Sequence, residues 1–303
     1  MIKVLITNTI IYSFFNYVYE LFVEDYMKKI KNYFKFYFKS KEFLLSITII
    51  GILTILNICS YFINTITYDG LMAGVNCFSF WNYCLHYNLG SAVMFLSPIL
   101  ISILVLPNFF HKFFGSFLKS SLLRQKYLVL FLNELICSYF KAWFPFALTS
   151  LTLFVIGYIV LPHDITNIIY ANQYTMFDYI GFNSPYIFVL FSFIQIFMYA
   201  IMVVNISLIA LYFSKKILVS FIITFVTMNA INLIVGNVLI FIGQSLFGEK
   251  FLNYVYNVNV YEGYFVQSTM SRAIIHTSIY ALITTIIIII VYSNKERLVL
   301  NSE

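Results

Sequence analysis

Few side chains in this 303-residue sequence have both the type and the spacing to do chemistry. Glu134 and Lys141 stand seven residues apart in a largely apolar stretch, hence on one face of a helix. Their place at the foot of an apolar run favours an interfacial, structural pair over a catalytic one. His276 has no second histidine or carboxylate four residues on, which a zinc-binding helix of the H-E-x-x-H type needs, so it reads as a packed histidine. His86, His111 and His163 fall in what read as separate loops. Cys77 and Cys84, with His86 nearby, leave three readings open: a disulfide, an incomplete metal site lacking its fourth ligand, or free thiols, of which the last is favoured. Cys59 and Cys137 read as ordinary buried thiols. The stretch "GQSLFGEK" at 243–250 has the glycine spacing of a phosphate-binding loop, but Glu249 occupies the lysine position and no Ser or Thr follows. The chain therefore has no ATP site of its own, and no catalytic residue, metal or cofactor is expected on it. What remains are amides within apolar runs: Asn57, Gln195, Asn205, Asn229 and Asn232. Interhelical hydrogen bonding is the first explanation for them; Gln195, Asn205, Asn229 and Asn232 are also the candidate lining of a translocation path.

The elements that position these residues follow from composition. The sequence is 61% hydrophobic, 20% aromatic and only 10% charged, with a mean hydropathy of +0.89. Soluble domains carry about 25% charged residues. This is the composition of a polytopic, all-α membrane protein rather than of a nucleic-acid binder, despite the net charge of +6. Six stretches approach the ~20 apolar residues that cross a ~30 Å hydrocarbon layer: 43–66, 92–110, 142–161, 185–213, 217–241 and 273–292.

Lysines and arginines orient these spans. Seven precede the first, from Lys3 to Lys41; Lys112, Lys119, Arg124, Lys126 and Lys141 lie between or at the feet of the second and third; Lys215 and Lys216 separate the fourth and fifth; Lys295 and Arg297 follow the sixth. Only Lys250 and Arg272 fall elsewhere, and 67–91 and 162–184 hold no Lys or Arg, reading as modest polar-aromatic connections. The pattern predicts six spans with both termini in the cytoplasm of a cell membrane, divided into an N-terminal segment 1–42, a transmembrane domain 43–293 and a tail 294–303. No cleavable signal peptide is expected, since Val4–Phe15 is diluted by polar residues and no small-residue cleavage site follows. The abundance of Phe, Ile, Tyr, Asn and Lys points to an AT-rich, bacterial genome.

Two further stretches are amphipathic. Before the first span, Tyr26, Ile30, Tyr33, Phe34 and Tyr37 form one stripe and Lys28, Lys31, Lys35 and Lys39 another, predicting a helix that lies in the interface of the bilayer with its lysines toward anionic lipid. Between spans two and three, at 109–127, Phe110, Phe113, Phe114, Phe117, Leu118 and Leu122 recur at helical spacing opposite Lys112, Ser116, Lys119, Ser120 and Arg124. The bland account of this second stretch is a positive inner loop that obeys the orientation rule.

This layout resembles the membrane (permease) subunits of the type-two superfamily of ABC export transporters. Members of that family show an acidic residue, then Gly-Thr-Leu-Lys, an apolar stretch, an arginine, and a lysine at the foot of span three. Gly115, Ser116, Leu118, Lys119, Leu122, Leu123 and Arg124 follow that order, while His111 or Lys112 stands at the acidic position and the proline before the arginine is missing. The resemblance implies that 109–127 is a coupling helix pressing into a cleft of a separately encoded ATPase through Phe113, Phe114, Gly115, Phe117, Leu118, Lys119 and Arg124, and that the N-terminal helix bears on the same ATPase. It also implies ATP and Mg held by that partner, a homodimer or a heterodimer with a similar permease, and export of a peptide, antimicrobial or lipid-like substrate. The other class the sequence allows is a non-transporting immunity, assembly or sensor protein that binds a partner within the bilayer.

Overall fold

Ser40 starts the first long helix. Its hydroxyl accepts the Phe43 N–H at 3.2 Å and its carbonyl the Leu44 N–H at 3.1 Å, which makes it the N-cap, and Glu42 sits in the first turn at the positive end of the helix dipole. The computed structural model describes residues 37, 39–67, 76–86, 89–115, 118, 127–163, 185–233, 245 and 270–300. Their helices are α1 (Lys41–Thr67), α2 (Cys77–His86), α3 (Leu89–Phe114), α4 (Tyr127–Val160), α5 (Pro185–Ser214), α6 (Ile217–Leu233) and α7 (Met270–Leu300). There is no strand among the described residues.

The chain divides into two units, Met1–Leu45 and Ser46–Glu303. In the first, Tyr37 meets Phe43 edge-on with ring centroids 4.7 Å apart; burial pushes the Tyr37 phenol's pKa well above its ordinary value, and Lys39 is exposed. Lys28, Lys31 and Lys35, the rest of the expected interfacial anchor, lie outside the described residues.

In the second unit, α5 is the central element. It packs against α3, α4, α6 and α7, and Val203, Val204, Leu208 and Leu211 are fully buried. A helix apolar on every side can be surrounded in this way, and the small residues Ala200, Ser207 and Ala210 let its neighbours approach. Outer faces are apolar as well: Ile52, Ile55 and Ile63 on α1, Leu218, Ile222 and Val226 on α6, and Leu282, Ile286 and Ile290 on α7 are all exposed. Apolar surface on this scale suits hydrocarbon, not water. Among the described residues, Lys41–Ile63, Phe95–Phe114, Tyr127–Val160 and Val189–Ser214 are long and apolar enough to cross a membrane, and Ile217–Ile231 and Thr277–Ser293 are shorter apolar helices.

The connection expected at 67–91 instead contains α2, which is part of the packed interior. Asn76 caps it, accepting the Phe78 N–H on its side chain at 3.0 Å. Together α2 and α3 run antiparallel to α4 along its length. The Cys77 N–H meets the Pro162 carbonyl at 3.0 Å, Phe80 lies over Gly157, Trp81 Nε1 donates to the Ser150 carbonyl at 3.1 Å, and far along both helices Lys112 meets Glu134. Asn57 of α1 donates to the Cys84 carbonyl at 2.7 Å, fastening α1 to the same helix.

Several expectations change accordingly. The helix expected to carry the third span begins at Tyr127, fifteen residues before residue 142, and its 34 residues extend about 51 Å at 1.5 Å per residue, well beyond a ~30 Å hydrocarbon core. Residues 109–114 continue α3 rather than opening a separate helix, because the apolar repeat of the span and that of the amphipathic stretch are in phase. His86 and His111 lie in helices, not loops. Cys59 is exposed, not buried, because it falls on the outer apolar face of α1, and Cys137 is half-buried. Cys77 and Cys84 share one helix and are free thiols.

Candidate functional site

Among the described residues two polar clusters join several helices, a seam along α5 and the end of the bundle where α3 stops. The seam is built from neutral groups. Asn205, fully buried, accepts the Tyr139 hydroxyl of α4 at 2.7 Å and donates to Thr285 and Thr284 of α7 at 2.9 and 3.1 Å. One side-chain amide thereby ties three helices, with its oxygen and both N–H groups engaged. Gln195, ten residues earlier, donates to Thr277 of α7 at 2.7 Å. Toward α3, Ser97 meets the Tyr199 hydroxyl at 2.7 Å and Ser102 meets Ser207 at 2.8 Å.

Of the residues expected along a translocation path, Gln195 and Asn205 are therefore bridges between helices. Asn229 is half-buried and returns its N–H to the Phe225 carbonyl of its own helix at 2.8 Å. Asn232 is on α6, and its side chain lies outside the described residues.

At the end of α3 the chemistry is aromatic and ionic. Phe109 and Phe113, four apart and thus on one helix face, stack at 4.3 Å. From α4 comes Phe131 and from α7 Tyr292, stacked on one another at 4.9 Å. Edge-on contacts join the two pairs, Phe109 to Tyr292 at 5.5 Å and Phe113 to Phe131 at 6.0 Å, as the ring quadrupoles prefer. Tyr292 also donates its hydroxyl to the Leu208 carbonyl of α5 at 3.0 Å. The end of α3 is thus bound to α4 and α7, and through Tyr292 to α5.

Beside the rings, Lys112 of α3 pairs with Glu134 Oε2, and Lys141 Nζ stands 4.0 Å from Glu134 Oε1. The side chains are 26%, 7% and 6% exposed for Lys112, Glu134 and Lys141, so the cluster is largely shielded from solvent. The one-face relation of Glu134 and Lys141 was readable from their spacing. Lys112 as the partner from another helix was not, since only the antiparallel register of α3 and α4 brings it there.

Immediately after this cluster the chain leaves α3 at Gly115. A Cβ at this position would lie 2.5 Å from the His111 carbonyl oxygen, closer than any side chain tolerates, so the exit demands glycine. The Leu118 N–H returns to the Gly115 carbonyl at 3.3 Å, and Leu118 is buried. Of the residues expected to touch an ATPase, Phe113 faces the ring cluster and is buried, while Phe114 is half-buried and stacked on Phe110 at 5.4 Å. Phe117, Lys119 and Arg124 lie outside the described residues. No group of three or more His, Cys, Asp or Glu converges among the described residues.

The fold and composition define a helical membrane protein that crosses the bilayer several times. Comparison with protein-family models, with curated proteins and with solved structures finds no match for this chain.

Proposed function

We propose that this chain is the permease subunit of an ATP-driven exporter, with a separate ATPase that binds ATP and Mg and docks on the connector between α3 and α4. The observation that carries this reading is mechanical. A connector can transmit work only if both its ends are fixed to elements that must move. Here the chain enters it from Phe109 and Phe113 and leaves it at Tyr127 and Phe131, two aromatic pairs packed against each other and against Tyr292, with the Lys112–Glu134 pair beside them. Displacement of the connector would reach α3, α4 and α7 together.

In this reading α6 and α7 complete six crossings, both termini are cytoplasmic, and Lys112, Lys119, Arg124, Lys215 and Lys216 face the cytosol. The 34-residue α4 then projects its Tyr127 end below the bilayer toward the ATPase. Two permease chains, identical or similar, form the transport unit, and closure of the ATPases alternates access between them. The heavy aromatic content suits an amphipathic cargo of the peptide, antimicrobial or lipid-like kind.

The second reading, a non-transporting immunity, assembly or sensor protein, is favoured by one observation: Gln195 and Asn205 are committed to helix-to-helix bonds and would suit a static scaffold. Crosslinking from a cysteine placed at Lys119, followed by purification from the native membrane, separates the two. The exporter reading predicts capture of an ATPase whose turnover changes when this chain is present. Capture of no nucleotide-hydrolysing chain, or of one whose turnover is indifferent to this protein, sinks the exporter reading in favour of the second.

A further inference from the structure

From Pro185 to Gly248 the sequence carries only two charged side chains, Lys215 and Lys216, adjacent in the turn between α5 and α6. Both are exposed, and neither joins an ion pair among the described residues. The apolar residues that flank them are among the most exposed of the bundle, Phe213 at 71% and Leu218 at 74%. Two neighbouring like charges repel each other, so an anion that bridges them is favoured. Apolar flanks of this exposure suit hydrocarbon rather than water. A turn that is cationic at its centre and apolar on both sides matches the boundary of a bilayer, where phosphate meets acyl chain.

Hydrogen bonds close this turn. The Lys215 N–H meets the Leu211 carbonyl at 2.9 Å, the bond by which a residue in the left-handed region ends a helix, and Lys215 is that residue, with φ of 52°. Ser214 Oγ accepts the Lys216 N–H at 3.3 Å and meets Ser220 Oγ at 2.8 Å, which ties the turn to the first turn of α6. Glycine or asparagine takes the left-handed conformation more readily than lysine. A cationic side chain therefore stands where the backbone alone favours another residue, the kind of local strain that accompanies a function.

We propose that the α5–α6 turn is a binding site for anionic phospholipid of the surrounding bilayer: Lys215 and Lys216 take the headgroup phosphate, and Phe213 and Leu218 lie against acyl chains. The lipid class is one with net negative charge. A zwitterionic headgroup carries its own cation beside the phosphate and gains less from the two ammonium groups.

The test uses the full chain in lipid nanodiscs. Cys59 and Cys137 are replaced by alanine, and a fluorophore is attached at Val219→Cys, an exposed position three residues after Lys216. Its quenching is measured with phosphatidylglycerol or phosphatidylcholine that carries a nitroxide on the acyl chain near the headgroup. At low salt phosphatidylglycerol should be enriched at the label by about fivefold per lysine. Lys215→Asn, which accepts the left-handed turn, should lose about fivefold of that enrichment, and Lys215→Asn with Lys216→Gln should leave the two lipids quenching equally. Equal quenching in the parent overturns the site, as does an enrichment that survives the double substitution. Loss of the enrichment on adding inorganic phosphate, but not chloride at the same ionic strength, would assign the lysines to a soluble anion and overturn it as well. None of these results bears on the exporter reading, which concerns the connector after α3 and is tested by capture from Lys119.

Discussion

Asn205 and Glu134 are both buried polar residues that join helices, on α5 and α4 respectively, and their surroundings differ in kind. Asn205 is neutral, and its partners Tyr139, Thr284 and Thr285 come from two other helices. The three bonds run from 2.7 to 3.1 Å, and every polar atom of the amide is used. Glu134 is charged and lies where two lysines converge from different helices. The first arrangement ties three helices through one neutral amide; the second joins α3 to α4 by charge at the end where α3 stops.

Substitutions separate the two regions by size of effect. The largest is expected at the ring cluster. Phe131→Ala removes a fully buried ring that touches Phe109, Phe113 and Tyr292, and should cost about 3 kcal/mol of stability through lost packing. Reversible unfolding in mixed micelles with SDS measures it, and a cost below that of Asn205→Leu would mean the rings are not the stronger fastening. Asn205→Leu removes the three hydrogen bonds of the amide, while the Tyr139 hydroxyl keeps Thr285 beside it and the two threonines keep bonds to their own helix, so about 2 kcal/mol is expected. The same unfolding assay on the Asn205→Leu, Thr285→Val double variant should show non-additivity, and strict additivity would deny the bridge.

Gly157→Ala tests the antiparallel seat of α2 on α4. Its Cβ would approach Phe80 Cδ1 to 2.7 Å and the Cys77 carbonyl to 3.1 Å, an overpacking expected to cost about 1–2 kcal/mol. A neutral result in thermal unfolding would show that α2 is not seated there. Smallest and opposite in sign is Lys215→Gly. Lys215 adopts a positive φ of 52° in the turn between α5 and α6, and relief of that left-handed strain should stabilise by about 1 kcal/mol; a loss of stability would reveal a role for the lysine side chain that outweighs its strain.

Much of this was legible in the residues. Apolar stretches located the helices because lipid allows no unpaired backbone, and of the apolar stripe read at 109–127 Phe113 and Leu118 are buried, whereas Phe109, which completes the packing face, was not in that stripe. What stayed hidden was of two kinds. Where the apolar pattern of a span runs in phase into an amphipathic stretch, as at 109–114, hydropathy cannot say where one ends, and the structure joins them. Likewise α4 begins fifteen residues before the expected residue 142, because Glu134 and Lys141 lowered the apparent hydropathy of a helix that shelters them. Partnerships across the bundle, Lys112 with Glu134 or Trp81 with Ser150, depend on register between helices distant in sequence. The burial of α2 went unread for the same reason: its Phe78, Phe80 and Trp81 resemble an aromatic belt until α4 is placed beside them.

The account rests on the connector after α3 facing the cytosol, where an ATPase can reach it. The direct measurement is labelling of Lys119→Cys, in a chain with Cys59 and Cys137 replaced by alanine, using a membrane-impermeant maleimide on intact and on permeabilised cells. The prediction is no reaction in intact cells and rapid reaction after permeabilisation. Full labelling of intact cells would place the connector outside, and would contradict both the orientation and the transport role built on it.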